Sequence, residues 1–317
     1  MKTKYKEGLS IVIPSYNRSS QLCRLLDSIF NDDIKDVIEI IVVDNNSDYD
    51  VKKVLCKYSS KKLKVVQNSF NVKMATNMMN TFLHCRTKWM WLISDDDVIC
   101  QDSIKIANNR IAENADAGYL KFSTEGTGNN GIERNMMVNS LEDFINYYSN
   151  ESNVRRGNLV FVSNGIYNLE LIHPFLGYGF EFSYTYIPYL IPVILGLNNG
   201  IPVVFCQEKI VKYQSPENGH WSFDNVGLGL STLSHLPLML EKKYFKELLN
   251  ILMVVKFKGL FLYLLKSKKN NSRRKYNLVY HNVYKYYLTP FQKILSHLLS
   301  LLLIYPKLTS LIFKKYV

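Results

Sequence analysis

The chain has 317 residues, 47% of them hydrophobic and 21% charged, which excludes a disordered protein and leaves room for one large or two modest domains. Its net charge of +12 is unevenly placed: residues 241–317 hold 16 Lys and Arg against two acids, Glu241 and Glu247, a net of +14, and residues 1–240 carry −2. Five cysteines (Cys23, Cys56, Cys85, Cys100, Cys206) are odd in number and show no C-x-x-C spacing, which argues against a disulfide framework or a zinc site and suits a reducing cytoplasm.

The start, Met1 to Glu7, leads straight into a strand-like segment, so no signal peptide is expected. Leu9 to Pro14 is β-branched and apolar and stops at a proline, which predicts a buried strand and a turn. Ser20 to Phe30 puts Leu22, Leu25, Leu26 and Ile29 on one helical face. Ile38 to Val43 predicts a second strand, Asp50 to Tyr58 a short helix, Leu63 to Gln67 a third strand and Met74 to His84 a helix. Trp89 to Ser94 is the fourth strand and Ser103 to Asn114 another helix. Strands alternating with helices, the strands being continuous apolar runs, predict an open, mainly parallel α/β sheet flanked by helices. Ligands bind outside the carboxyl ends of such strands.

The polar residues gather there. Ser15-Tyr16-Asn17-Arg18 follows the first strand, Asp44 the second, Asn68 and Asn71 the third, and Asp95-Asp96-Asp97 the fourth. Three adjacent carboxylates repel one another, and a hard divalent cation such as Mg²⁺ or Mn²⁺ relieves that. The competing reading of the run is a solvated acidic turn. No G-x-G-x-x-G follows the first strand and no G-x-x-x-x-G-K-[ST] occurs, which disfavours a dehydrogenase and excludes a P-loop enzyme.

Further on, residues 124–135 read as a Gly/Asn-rich loop, Leu159 to Ile166 as a strand, Leu176 to Phe182 as a Gly and aromatic stretch holding Glu181, and Ile201 to Phe205 as a strand. Glu181 is the only acid between Glu170 and Glu208, and its apolar neighbours are expected to desolvate it. Ser215 to Asn225 is a polar loop with His220 and Trp221, which either closes over a bound ligand or anchors Trp221 in the core.

The combination Val12-Ile13-Pro14-Ser15-Tyr16-Asn17-Arg18, Ile41-Val42-Val43-Asp44-Asn45-Asn46-Ser47, Asn71 six residues before Asn77, and Ser94-Asp95-Asp96-Asp97 resembles the family 2 glycosyltransferases. The resemblance covers residues 9–115 well, fades through about residue 225 and is absent beyond. It implies the GT-A fold, a Rossmann-like sheet, and transfer of a sugar from a nucleotide-sugar donor to a glycan hydroxyl. It implies that Asp44 holds the nucleoside base, that Pro14, Tyr16 and Arg18 line the nucleotide pocket, and that Asn17, Asn46, Asn71, Lys73, Asn77, His220 and Trp221 complete the donor site. The aspartates supply the D-x-D motif for the ribose and for Mn²⁺ or Mg²⁺. Asp95-x-Asp97 fits directly, whereas the family's D-x-D-D spacing would start at Ser94 and make Asp96 the ligand, so Asp95, Asp96 and Asp97 all stay in the metal set. Lys73 stands where the family has Gly. Asp97 with the metal, and Glu181 as general base of an inverting transfer, are the catalytic candidates. The rival reading is a catalytically inactive nucleotide-sugar or glycan-binding protein on the same fold.

Residues 1–240 are thus expected to be the catalytic domain and 241–317 a basic helical region. In the latter, Lys266 to Lys275 is polybasic, and Ile294 to Ile304 is apolar but too short to span a bilayer. Such a segment suits lying on anionic lipid. That predicts a peripheral protein on the inner face of the cytoplasmic membrane, near a lipid-linked glycan acceptor of capsule or O-antigen synthesis. The alternative for the same region is a helical domain or homo-oligomer interface. Nucleic acid is not expected as a partner, since no recognisable motif accompanies the charge.

Overall fold

Apolar, β-branched runs become the central strands, and the periodic segments between them become helices that cover the sheet. The computed structural model describes residues 5–58, 62–126, 133–149, 157–214, 232–238, 240–252, 277, 280, 281, 285 and 288–302. They belong to two compact units, Met1–Gly219 and His220–Val317.

In the first unit the order is β1 (Lys6–Ser15), α1 (Ser19–Phe30), β2 (Val37–Asp44), α2 (Val51–Leu55), β3 (Leu63–Gln67), α3 (Met74–His84), β4 (Thr87–Leu92), β5 (Val98–Ile99), α4 (Ser103–Glu113), β6 (Tyr119–Glu125), β7 (Met136–Val138), α5 (Leu141–Ser149), β8 (Gly165–Asn168) and β9 (Val203–Lys212). Short helical turns and the helix Ile191–Asn198 lie between β8 and β9. The described strands form one sheet in the order β3-β2-β1-β4-β8-β6-β9-β5, with β7 also pairing β9.

The sheet has two characters. From β3 to β4 every pairing is parallel. Beyond β4, β8 runs antiparallel to both β4 and β6, β6 pairs β9 in parallel, and β5 and β7 pair β9 antiparallel. The parallel expectation thus describes the first half of the sheet, and the second half is mixed.

One face is buried by α1, α2 and α4. Leu9, Ile11 and Ile13 of β1, Ile40 and Val42 of β2 and Trp89, Trp91 and Ile93 at β4 pack with Leu22, Leu25, Leu26 and Ile29 of α1, Leu55 of α2 and Ile104 of α4. On the other face α3 packs on β1 and β2. The helix Leu176–Glu181 in turn meets α3, where a Cβ added at Gly179 would touch Met79 Cε at 2.4 Å.

Residues 159–166 are not a single strand. Residues 157–159 make a helical turn, and the strand begins only at Gly165. The cause is polar: Ser163 and Asn164 turn their side chains to Asp97 and to Lys121, Phe122 and Thr124, which an alternating strand of apolar residues would not do. Lys121 is fully buried, donating to Phe161 O at 2.6 Å and to Asn164. Burial pulls it down to about 7, with the nearby Glu133 carboxylate opposing.

The second unit is described through the helices Lys242–Leu252 and Pro290–Leu302. The latter exposes Phe291, Ile294, Leu295 and Leu298. No helix among the described residues is long and apolar enough to cross a membrane. The polybasic segment Lys266–Lys275 lies outside the described residues.

Candidate active site

The carboxyl ends of the parallel strands stand in one row. Ser15 pairs with Asp44 and Asp44 with Gln67, while Ile93 N donates to Val12 O at 3.0 Å. The chain steps from β1 through β2 to β3 on one side and returns to place β4 on the other side of β1. Such a reversal opens a crevice at the strand ends. A pocket of about 220 Å³ lies there, walled by Pro14, Ser15, Tyr16 and Arg18 after β1, Asn45 after β2, Asn71, Lys73, Met74, Asn77 and Met78 around the start of α3, and Ser94 and Asp95 after β4.

The three aspartates have different surroundings. Asp95 is buried, accepting from Ser15 Oγ at 2.8 Å and from Arg18 Nη1 at 3.1 Å. Asp96 accepts from the same Arg18 Nη1 at 2.8 Å and from Ser94 Oγ at 2.6 Å, and its backbone carbonyl accepts from Arg24 Nη2 at 2.9 Å. Asp97 is buried on the far side, accepting from Ser163 Oγ at 2.6 Å and Gln214 N at 3.3 Å. Burial raises Asp95 to about 6 against the pull of Arg18, and raises Asp97 to about 7 against its hydrogen bond from Ser163. Two carboxylates, those of Asp95 and Asp96, therefore converge on one guanidinium. Among the described residues no group of three or more His, Cys, Asp or Glu side chains is arranged to hold a metal ion. Mg²⁺ and similar ions are commonly held by only one or two carboxylates, the remaining ligands being water and phosphate oxygens. The pair Asp95 and Asp96, already drawn to one cation, fits that smaller donor set.

An asparagine lattice forms the opposite wall. Asn45 Nδ2 donates to Asn71 Oδ1 at 3.0 Å, while Asn45 Oδ1 accepts from Val72 N and Asn68 Nδ2, both at 3.0 Å. Asn68 Nδ2 also donates to Asn77 Oδ1 at 2.7 Å, and Asn77 Nδ2 to Val43 O at 3.1 Å. Lys73 caps α3 with φ 73° and ψ 162°, and its N–H donates to Asn71 Oδ1 at 2.8 Å. That region of backbone space is almost confined to glycine, and another residue there costs of order 1–3 kcal/mol.

The pocket thus unites Pro14, Tyr16, Arg18, Asn71, Lys73, Asn77 and Asp95 of the sequence-expected residues, with Asp96 tied in through Arg18. Others stand apart. Asp44 is buried, and its carboxylate takes Ser47 N, Ser47 Oγ and Gln67 Nε2, closing its own turn. Asn17 and Asn46 are exposed with φ 53° and 64°; Asn17 joins its loop to Ser47 and Asp48. Glu181 is exposed at the end of the helix Leu176–Glu181, so its apolar neighbours do not desolvate it. His220 and Trp221 lie outside the described residues.

Residues 10–166 match the family model described as Glycosyl transferase family 2. The chain carries a family 2 glycosyltransferase domain. Solved structures share its GT-A fold. S. aureus TarS residues 1–349 in complex with UDP-GlcNAc matches with a TM-score of 0.63 and 17% identity, over 87% of this chain and 81% of that one. A second structure of the same TarS segment gives 0.58 and 17%, over 86% and 83%. The mannosyltransferase PcManGT from Pyrobaculum calidifontis, in complex with GDP-Man and Mn²⁺, gives 0.53 and 14%, over 99% and 86%. None of the curated protein sequences matches the chain.

Four residues at this site of the glycosyltransferase were not among the site residues expected from the sequence. Ser15 and Ser94 flank Asp95 and Asp96 and donate to them. Asn45, and not Asn46, lines the pocket, because Asn45 N extends the ladder to Ser15 O at 2.8 Å and buries its side chain. Alternation along β2 was the available signal, since it separates Asn45 from Asp44 and Asn46. Ser163 is 66 residues from Asp97, and no local pattern announces that hydrogen bond.

Proposed function

We propose that the pocket binds a nucleotide-sugar and that the enzyme transfers its sugar, with inversion, to a hydroxyl of a lipid-linked glycan in capsule or O-antigen assembly. The observation that carries this is the pocket itself: one wall of amides suited to a nucleoside, and another where Arg18, Asp95 and Asp96 meet. UDP-GlcNAc and GDP-Man in the TarS and PcManGT complexes support the donor class. Asp95 and Asp96 would hold a divalent cation, and the Mn²⁺ of PcManGT supports that reading. Such an ion supplies charge neutralisation for a departing diphosphate. Arg18 holds both carboxylates in place. Asp97 braces the loop through Ser163 and Gln214. Asp44 fixes the turn that carries Asn45, and through it the base-binding wall. The acceptor hydroxyl has a high pKa and requires a base as it attacks. Glu181 is assigned that role, as an exposed carboxylate able to meet an acceptor arriving from solvent.

Residues 241–317 attach the enzyme to the inner face of the cytoplasmic membrane. Their net charge of +14 and the exposed stripe Phe291, Ile294, Leu295 and Leu298, at i, i+3, i+4 and i+7 of a helix, support this.

Calorimetric titration with UDP, GDP, CDP and dTDP, each with Mn²⁺ and with EDTA, tests the donor site. Binding of one nucleotide, tighter with the metal, is expected. A folded protein that binds none removes the nucleotide-sugar reading. Glu181→Gln should keep donor binding and lose transfer, and an unchanged rate discards it as base. Sedimentation with anionic vesicles should weaken in Leu298→Glu; equal sedimentation of the variant refutes the attachment through this helix.

A further inference from the structure

Lys73 is a cation placed on glycine's backbone. Its φ of 73° and ψ of 162° are values that a glycine would adopt without strain. The turn therefore needs no side chain at residue 73. What glycine would lack is the ammonium, carried by a residue that stands in the pocket wall and is exposed to solvent. The other cation of the wall, Arg18, is already paired with Asp95 and Asp96. Among the described residues no carboxylate pairs with Lys73. The surrounding wall of Asn45, Asn71 and Asn77 is neutral. A positive charge without a carboxylate partner among the described residues, carried at a strained position on the wall of a crevice, is matched by an anionic ligand group.

We propose that Lys73 is the diphosphate-reading residue of the donor site; this rests on the nucleotide-sugar reading above. Its ammonium pairs with phosphate oxygens of the bound donor. During transfer the acceptor oxygen bonds to the anomeric carbon and its proton passes to the base. The bond from that carbon to the phosphate oxygen breaks, and its electron pair stays on the phosphate. The leaving nucleoside diphosphate gains one negative charge, and the positive charge of Lys73 offsets it. Specificity follows: Lys73 favours a nucleoside diphosphate over the monophosphate and contributes nothing to the bare nucleoside.

The test compares wild type with Lys73→Arg, Lys73→Ala and Lys73→Gly in the full chain. Calorimetry in EDTA measures whichever of UDP, GDP, CDP and dTDP the wild type binds, then its monophosphate and its nucleoside. Lys73→Ala and Lys73→Gly should each weaken diphosphate binding about tenfold, as expected for loss of a charge-assisted contact. Lys73→Arg should restore it, and nucleoside binding should not change in any variant. Lys73→Gly should melt higher than Lys73→Ala, by roughly 2–4 °C, since only the glycine relieves the backbone. Diphosphate affinity equal to wild type in both Lys73→Ala and Lys73→Gly overturns the proposal. So does an equal loss for the bare nucleoside, which would assign Lys73 to packing. A wild type that binds none of the four nucleotides, either with Mn²⁺ or in EDTA, overturns the nucleotide-sugar reading, and this proposal with it.

Discussion

The two halves of the sheet solve different problems. From β3 to β4 the strands are parallel, apolar inside and polar at their ends, so that Ser15, Asp44, Gln67 and the aspartate run stand in one row. From β8 to β5 the pairing is mixed, and polar groups are buried in the strands and the turns beside them: Lys121, Glu133, Asn158, Asn164 and Ser163. The first half presents the polar residues of the pocket, and the second half braces them. The link between them is short. Ser163, just before β8, receives Ser94 N at 2.9 Å and donates to Asp97, while Gln214, just after β9, donates its N–H to the same carboxylate. A loop loaded with three carboxylates keeps its shape because the neighbouring half-sheet supplies the donors.

That division of labour can be broken from either side. The largest effect belongs to the first half: Asp96→Ala should lower kcat/KM by about 10²–10³-fold, the usual cost of losing one preorganised charge-stabilising group. Circular dichroism should show the fold intact, because the Asp96 side chain is only part-buried, with 19% exposure. Full activity would move the chemistry away from Arg18 and its two carboxylates. Gly165→Ala strikes the second half. Its new Cβ would stand 2.3 Å from Tyr119 Oη and under 3 Å from the ring, in a fully packed layer. Overpacking of this kind costs about 1–3 kcal/mol, and a melting temperature equal to wild type would refute the tight packing. Ser163→Ala cuts the link itself, leaving Asp97 and Ser94 N short of a partner. A stability loss of about 1–2 kcal/mol is expected, together with weakened nucleotide binding; intact binding would show that the second half does not position the loop.

The smallest effect is one of pH. Burial depresses Lys121 from the ordinary lysine range to about 7, so between pH 7 and 10 the unfolded chain binds more protons at this residue than the folded one. Folding stability from this group therefore rises with pH across that window. In Lys121→Met the rise should disappear, so the stability of wild type relative to the variant should climb from pH 7 to 9. Parallel melting curves at all pH values would show that Lys121 keeps an ordinary affinity for its proton.

Much of the first half was legible beforehand. The spacing of Met74 to His84 predicts α3 to the residue, and the run Leu63 to Gln67 predicts β3 to the residue. Apolar runs and 3.6-residue periodicity are local signals, and a parallel sheet with aligned polar ends is built from local signals repeated. The second half was less legible. Leu159 to Ile166 looks like a strand, yet Ser163 and Asn164 leave that geometry to serve Asp97 and Lys121. Those bonds join residues 43 to 66 positions apart.

The sequence by itself determined the alternation of strands and helices, the row of polar strand ends, the charge contrast between residues 1–240 and 241–317, and the likeness to family 2 glycosyltransferases, because each is written in adjacent or regularly spaced residues. Only the tertiary structure decided that Asp95 and Asp96 share Arg18 while Asp97 turns away to Ser163, that Asn45 and not Asn46 faces the pocket, and that Lys73 carries its charge on a backbone shaped for glycine. Three carboxylates in a row are chemically alike until burial and distant donors distinguish them, and that distinction exists only once the chain has closed on itself.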